Sequence, residues 1–176
     1  ELGATLAGIP AAPIAVVCLG YDAARLSASG VDLNGFGFLV PFDEGVRILG
    51  AVWDSSVYPG RAPAGKALVR VLIGGAHDPA AVELSDEELL GVVGQDLSRT
   101  MRIGVAPEFV RMVRHRLGIP QYVKGHLDRL ERIDARLRQH AGLRLRPVRW
   151  RRGRPDPVDA RRAAPLPPGA APDPRS

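Results

Sequence analysis

The sequence has little of the residue types that build disulfide or metal sites. It has one cysteine, Cys18, which excludes an internal disulfide, and its apolar surroundings predict a small core residue. The four histidines (His77, His115, His126 and His140) have none of the spacings of a metal site. We therefore predict neither a disulfide framework nor a metal centre.

Excess positive charge is also missing from most of the chain. Residues 1–145 carry 16 basic and 16 acidic side chains, whereas residues 146–176 carry 8 arginines and 3 aspartates. The balanced part offers no phosphate-binding stripe, so no nucleic-acid partner is predicted. Residues 146–176 also contain 8 prolines and a single aromatic residue, Trp150. We predict a disordered tail there, with the composition of a GC-rich coding sequence read out of frame.

Charge is absent from residues 2–21 altogether. No basic segment precedes this stretch, and Gly3, Gly8, Pro10 and Pro13 interrupt it, which argues against a signal peptide or a membrane span. We predict a loop that leads into a buried strand. Because the chain starts with Glu1 inside apolar sequence, we expect it to be a piece of a longer protein.

Hydrophobic patterning predicts an α+β fold. Strands are indicated at residues 13–21 (covered on both faces), 35–41, 47–54, 67–74 and 108–114 (edge or half-buried). Amphipathic helices are predicted to follow Ser85, which forms a capping box with Glu88, and to span residues 124–140. The expected architecture for residues 1–145 is a mixed, mostly antiparallel sheet of about five strands with two helices packed on it.

Three apparent motifs fail on physical grounds. Residues 60–66 (GRAPAGK) resemble a phosphate-binding loop, but Ala67 replaces the required hydroxyl and a strand follows in place of a helix. Residues 35–37 (GFG) lie within a strand and not at a strand-to-helix turn, so they are no dinucleotide fingerprint. Residues 54–56 (DSS) are typical of a turn, and no catalytic residue is predicted.

Six segments, in the same order and spacing, resemble the protoporphyrinogen oxidase family. They are GFGFLVP, RILGAVWDSS, YPGRAPAGK, VLIGGAHDP, LSDEELL and IPQYVKGHLDRLERID. The resemblance implies the C-terminal part of an oxygen-dependent flavoenzyme that uses FAD to oxidise protoporphyrinogen IX in haem biosynthesis. It also implies strands of the substrate domain followed by the return to the FAD domain.

The resemblance also implies which residues bind the porphyrinogen. Phe36, Gly37 and Leu39 match family positions that line the pocket, and Val52 and Leu72 occupy two further wall positions. Strict alternation puts Phe36 and Leu39 on opposite faces, so both can meet one ligand only if the strand twists or bulges.

Two departures from the family concern the flavin. His115 stands where the family usually has a tryptophan beside the flavin, and it is the one cofactor-binding candidate. After Leu145 the family continues with a flavin-contacting turn that Arg146, Pro147 and Val148 replace. We expect this chain alone not to hold FAD.

Several alternatives stay open. Coproporphyrinogen III is a second substrate within the same family, and a non-catalytic ligand-binding or interaction domain with a basic arm is the alternative of another class. The expected compartment is the cytoplasm. Because the substrate is hydrophobic, peripheral contact with a membrane stays open, as does a homodimer for the full-length protein.

Overall fold

A computed structural model describes residues 2–140, 142–143 and 145 of the chain. In chain order its elements are α1 (Leu2–Ala7), β1 (Ala11–Asp22), α2 (Ala23–Ala28), β2 (Gly37–Leu39), β3 (Ile48–Val52), α3 (Asp54–Val57), β4 (Lys66–Gly74), a 3₁₀ helix (Pro79–Glu83), α4 (Asp86–Met101), β5 (Phe109–Pro120) and α5 (His126–Leu137). The chain forms two compact units, Glu1–Ile133 and Asp134–Ser176. The predicted boundary between residues 145 and 146, and the predicted tail, lie outside the described residues and stay predictions.

The five strands of the first unit form one sheet in the order β2-β3-β4-β1-β5. Every pairing is antiparallel. The predicted α+β class is therefore confirmed, with a sheet that is antiparallel throughout the described residues. The hairpin predicted across residues 42–45 joins β2 to β3, and β4 lies beside β3. The first strand, β1, lies between β4 and β5, the last two strands.

One face of this sheet carries the hydrophobic core. Alternate residues of the two central strands are almost fully buried on it, as are three residues of the α4 helix: Ala15, Val17, Leu19, Tyr21, Ala67, Val69, Val71, Ile73, Leu89, Val93 and Leu97. The intervening β1 residues Val16, Cys18 and Gly20 are half-buried. β1 is thus buried on one face and only half-buried on the other, so the expectations that β1 is covered on both faces and that Cys18 is a core residue are wrong.

The α4 helix begins where its capping residues predict. The Ser85 side chain accepts a hydrogen bond from the Glu88 backbone N–H at 3.2 Å, and the Glu88 carboxylate accepts one from the Ser85 N–H at 2.9 Å. The helix ends at Met101, and Arg102 follows in the left-handed conformation with φ of 58°. The predicted capping box is confirmed.

Three differences from the predicted elements have local causes. The α1 helix replaces a predicted loop. Gly3 is the only glycine inside this short helix, and Gly8 follows its last residue, so neither prevents the helix from forming. The α2 helix begins after Asp22, whose carboxylate accepts a hydrogen bond from the Arg25 N–H at 3.0 Å. The β5 strand continues to Pro120, which is tolerated because an outer strand can spare a backbone N–H.

Across the described residues, no helix combines the length and the apolar character needed to cross a bilayer.

Candidate porphyrinogen-facing surface

The sheet face opposite the core presents a row of apolar residues across all five strands. Leu39 of β2 lies opposite Gly50 of β3, Gly50 opposite Leu72 of β4, Leu72 opposite Val16 of β1, and Val16 opposite Val113 of β5. Directly opposed residues of an antiparallel sheet share a face. We call these five residues the apolar row. Leu39 and Val113, on the two edge strands, are 84% and 37% exposed, whereas Val16 and Leu72 are half-buried and Gly50 is buried. We call this side of the sheet the open face.

A second row lies two residues further along the strands and carries charge. It runs from Gly37 through Val52, Arg70 and Cys18 to Arg111, one residue on each strand. We call it the arginine row. Residues two apart on a strand point to the same face about 7 Å from each other, so the two rows adjoin.

The open face is bounded by polar residues at both ends. At one end, the Lys66 ammonium contacts the Asp22 carboxylate at 3.2 Å and the Glu108 carboxylate at 2.7 Å. At the other end, His115 lies opposite Ile14, two residues beyond Val113 on β5. The apolar area between them is therefore a patch of limited length and not a continuous surface.

Two glycines of this face owe their identity to strand packing. Gly37 and Gly50 have φ of 138° and 154°. A Cβ on Gly37 would collide with the Ala51 carbonyl oxygen, and a Cβ on Gly50 would collide with the Phe38 carbonyl oxygen. Close backbone approach between β2 and β3 thus explains both residues without a ligand.

A buried acid outside the arginine row contacts one of its members. The Asp54 carboxylate is buried and accepts a hydrogen bond from the Arg70 guanidinium at 2.8 Å. Burial raises the pKa of the Cys18 thiol, and the Asp54 carboxylate raises it further. The guanidinium groups of Arg70, Arg111 and Arg61 act in the opposite direction on that pKa. Three cations and one anion therefore act at the position of Cys18.

Four of the six predicted site residues come together on the open face: Gly37, Leu39, Val52 and Leu72. His115 lies on the same strand and face as Val113, beyond the apolar row. Phe36 precedes β2 and is 67% exposed, and its carbonyl oxygen accepts a hydrogen bond from the Trp53 N–H at 2.9 Å. A twist or bulge that brings Phe36 and Leu39 to one face stays a prediction. The binding roles of these residues stay predictions.

No pattern in the sequence indicates that Cys18, Arg70 and Arg111 belong to one site. A signal for Arg70 was present, because it is the one charged residue within the apolar run of residues 67–74. No pattern in the sequence links Arg70 to Arg111. The two residues are brought together only because β4 and β5 both pair with β1, on either side of Cys18.

A separate depression of about 320 Å³ lies beside β2 and α4. Its lining consists of Phe38, Leu39, Val40, Pro41, Glu44, Val46, Arg99 and Thr100. It shares only Leu39 with the predicted site, and its volume is at the lower end of the range for ligand pockets, about 300–1,000 Å³. Of the predicted site residues, Gly37, Val52 and Leu72 lie on the open sheet face and not in this depression.

The described residues do not form a site for the pyrophosphate of a dinucleotide. Such a site needs a parallel strand, a glycine-rich turn and the N-terminus of a helix in succession. Every strand pairing described is antiparallel, and Gly37 is the first residue of strand β2 and does not precede a helix. His115, at the end of the open face, stays the residue predicted to contact a flavin.

The family profile described as flavin containing amine oxidoreductase matches residues 4–145. The chain belongs to this family. Coproporphyrinogen III oxidase of Bacillus subtilis (strain 168) is 29% identical over 153 residues, 86% of this chain and 32% of that protein. Protoporphyrinogen oxidase 1 of Spinacia oleracea, a chloroplastic protein, is 35% identical over 141 residues, 76% of this chain and 25% of that protein. The chain thus spans a quarter to a third of the length of these relatives.

Solved structures share the fold of this family member. A crystal structure from Exiguobacterium sp. 255-15, provisionally named a protoporphyrinogen oxidase, superposes with a TM-score of 0.64 at 26% identity. That match covers 81% of this chain and 30% of the other. Reduced UDP-galactopyranose mutase, at 13% identity and a TM-score of 0.59 over 77% of this chain and 28% of that one, shares the fold alone. The predicted resemblance to porphyrinogen oxidases is confirmed.

Proposed function

We propose that this chain supplies the porphyrinogen-facing wall of a flavin-dependent porphyrinogen oxidase of haem biosynthesis. The proposed substrate is protoporphyrinogen IX, and coproporphyrinogen III is the second candidate. The observation that carries the proposal is the open sheet face, on which the apolar row adjoins the arginine row. The relatives named for both reactions support the same substrate class.

The chemistry of the face suits a large flat hydrophobe that carries acidic groups. Leu39, Leu72 and Val52 present aliphatic carbon without any side-chain donor or acceptor. In this proposal they bind and orient the macrocycle and exclude water from it, and the oxidation itself belongs to FAD bound by other parts of the protein. The second candidate is favoured by the arginine row, because coproporphyrinogen carries more carboxylates than protoporphyrinogen.

The proposal is tested by titrating the 176-residue chain with protoporphyrin IX and coproporphyrin III, the stable oxidised products, in dilute nonionic detergent. We expect a saturable shift of the porphyrin absorbance band. Leu39→Asp should weaken binding at least about tenfold, because a carboxylate would then face the macrocycle. Leu127→Asp changes a similarly exposed leucine of the α5 helix, 73% exposed, and is the matched control.

Three outcomes would contradict the proposal. One is the absence of saturable binding to protein that circular dichroism shows to be folded. Another is an equal loss in the Leu39 and Leu127 variants, which would indicate nonspecific partitioning. The third is a stoichiometric yellow FAD complex of the purified chain, because the proposal places FAD elsewhere and predicts a colourless protein. Saturable binding of other ligands alone would favour the non-catalytic binding domain.

The proposal also includes the location of the protein in the cell and its oligomeric state. We propose a cytoplasmic location with a peripheral membrane contact, and a homodimer for the longer protein. Sedimentation of the protein with vesicles and its mass in solution measure these two properties.

A further inference from the structure

The arginine row places two guanidinium groups on either side of Cys18. Arg70 on β4 and Arg111 on β5 are each directly opposite Cys18 on β1. Their Cα atoms are therefore two strand spacings apart, about 10 Å. Both side chains share the open face with the apolar row. Two long cationic side chains thus start from positions that bracket one small residue.

Among the residues that the structure describes, only one of these cations has an acidic partner. Arg70 donates to the Asp54 carboxylate, and its Nε is buried and has no hydrogen-bond partner in the structure. Arg111 is exposed, and its guanidinium forms no hydrogen bond or ion pair with any residue that the structure describes. Arg61 lies over the Tyr58 ring at 5.5 Å, and no described residue forms an ion pair with it. Together with Asp54, these three arginines leave a local excess of positive charge beside the apolar row.

An uncompensated guanidinium beside an aliphatic surface selects a ligand of two parts. The apolar row accepts a hydrocarbon surface, and the planar guanidinium matches a carboxylate, which it can bind through two parallel hydrogen bonds. A tetrapyrrole with ionised carboxyalkyl side chains has both parts. Simple hydrophobes fit this face less well, because they have no anion for the guanidinium. Nucleotides also fit it less well, because their phosphates would lie next to leucine and valine side chains.

We propose that Arg111, with Arg70 beside it, binds an ionised carboxylate side chain of the tetrapyrrole, and that Cys18 forms the floor between the two arginines. This inference rests on the proposed function and adds the residues that orient the macrocycle on the open face. Arg111 supplies the free charge, and Arg70 is held in place by the buried Asp54. The macrocycle itself then lies over the apolar row.

The experiment compares protoporphyrin IX with its dimethyl ester, in which the carboxylates are neutralised and the macrocycle is unchanged. Absorbance titrations in dilute nonionic detergent give the dissociation constant of each probe for wild type and variants. Arg111→Met should weaken binding of the acid roughly ten- to hundredfold, as expected for a lost hydrogen bond between charged groups, and leave binding of the ester unchanged. Arg111→Lys should recover only part of the loss, because an ammonium cannot form two parallel bonds.

Arg116→Met is the matched control. Arg116 lies on the same strand, but its guanidinium reaches Glu83 of the 3₁₀ helix at 3.5 Å, and its side chain is 81% exposed. This variant removes the same net charge and should bind both probes as wild type does. An equal loss in the Arg116 and Arg111 variants would overturn the inference, because general electrostatic attraction would then explain the binding.

Failure of the inference and failure of the proposed function give different results. If wild type binds acid and ester equally and Arg111→Met changes neither, the porphyrin-facing surface stands and the carboxylate site is refuted. If folded wild type binds neither probe, the proposed function itself is refuted. A loss of acid binding alone in the Arg111 variant supports both.

Discussion

The ion pair between Asp54 and Arg70 should show unequal costs when either partner is removed. The Asp54 side chain is 7% exposed, whereas that of Arg70 is 36% exposed, and they meet at 2.8 Å. Arg70→Met leaves a carboxylate in a buried position without its cation. Asp54→Asn leaves a guanidinium that can turn to water and still donate to the amide oxygen. We therefore expect the arginine variant to be the less stable one.

The magnitude follows from the burial of each partner. Breaking a fully buried ion pair costs about 3–5 kcal/mol. Because only Asp54 is fully buried, we expect Arg70→Met to lower the free energy of unfolding by about 3 kcal/mol and Asp54→Asn by about 1 kcal/mol. The double variant leaves no unpaired charge, and we expect a loss of about 2 kcal/mol, less than the sum of the single losses.

Urea unfolding followed by far-ultraviolet circular dichroism measures all four proteins, with Arg116→Met as a control for loss of an exposed arginine. The control should stay within about 0.5 kcal/mol of wild type. Equal losses in the two single variants, or a double variant equal to their sum, would refute the argument from unequal burial.

Three further predictions use the same unfolding measurement. Gly37→Ala should cost about 2 kcal/mol, because its φ of 138° is strained for alanine and a methyl group would meet the backbone of β3, whereas Gly104→Ala, with open space around it, should cost little. Burial raises the pKa of Tyr21 from 10.0 to about 12, so wild type should lose stability as pH rises between these values, and Tyr21→Phe should remove this loss. Hydrogen bonds from the Ser85 N–H and hydroxyl lower the pKa of Glu88 below 4.5. The contribution of Glu88 to the free energy of unfolding should therefore be present above pH 4.5 and disappear as the pH falls further. Glu88→Gln should therefore match wild type most closely in acid, and a constant difference across pH would contradict this.

The secondary structure of the central elements was predictable because local signals carry it. The alternation of residues 67–74 gives one buried and one half-buried face in β4, as observed. The reciprocal bonds of Ser85 and Glu88 set the start of α4 from four consecutive residues. Short helices such as α2 and α3, of six and four residues, lack enough length for a periodic signal.

The site was predictable only in part because strand register creates it. The resemblance pointed to Gly37, Leu39, Val52 and Leu72, and these lie on one face. Arg111 joins that face through its pairing with Cys18, a contact between residues far apart in the sequence. Hydrophobic patterning assigns a residue to one face or the other of its own strand, but it does not determine which residue of another strand lies opposite.

The strand order has a consequence for how this sheet assembles and opens. β2, β3 and β4 are neighbours in sequence and can pair as they emerge during synthesis, but β1 must wait for β4 on one side and for β5 on the other. Such distant pairings carry a large loop-closure entropy and slow folding. Once formed, β1 lies between two long ladders, and its amide hydrogens should exchange with solvent only when the whole sheet unfolds. The arginine row, with Cys18 at its floor, therefore exists only once both distant pairings of β1 have formed.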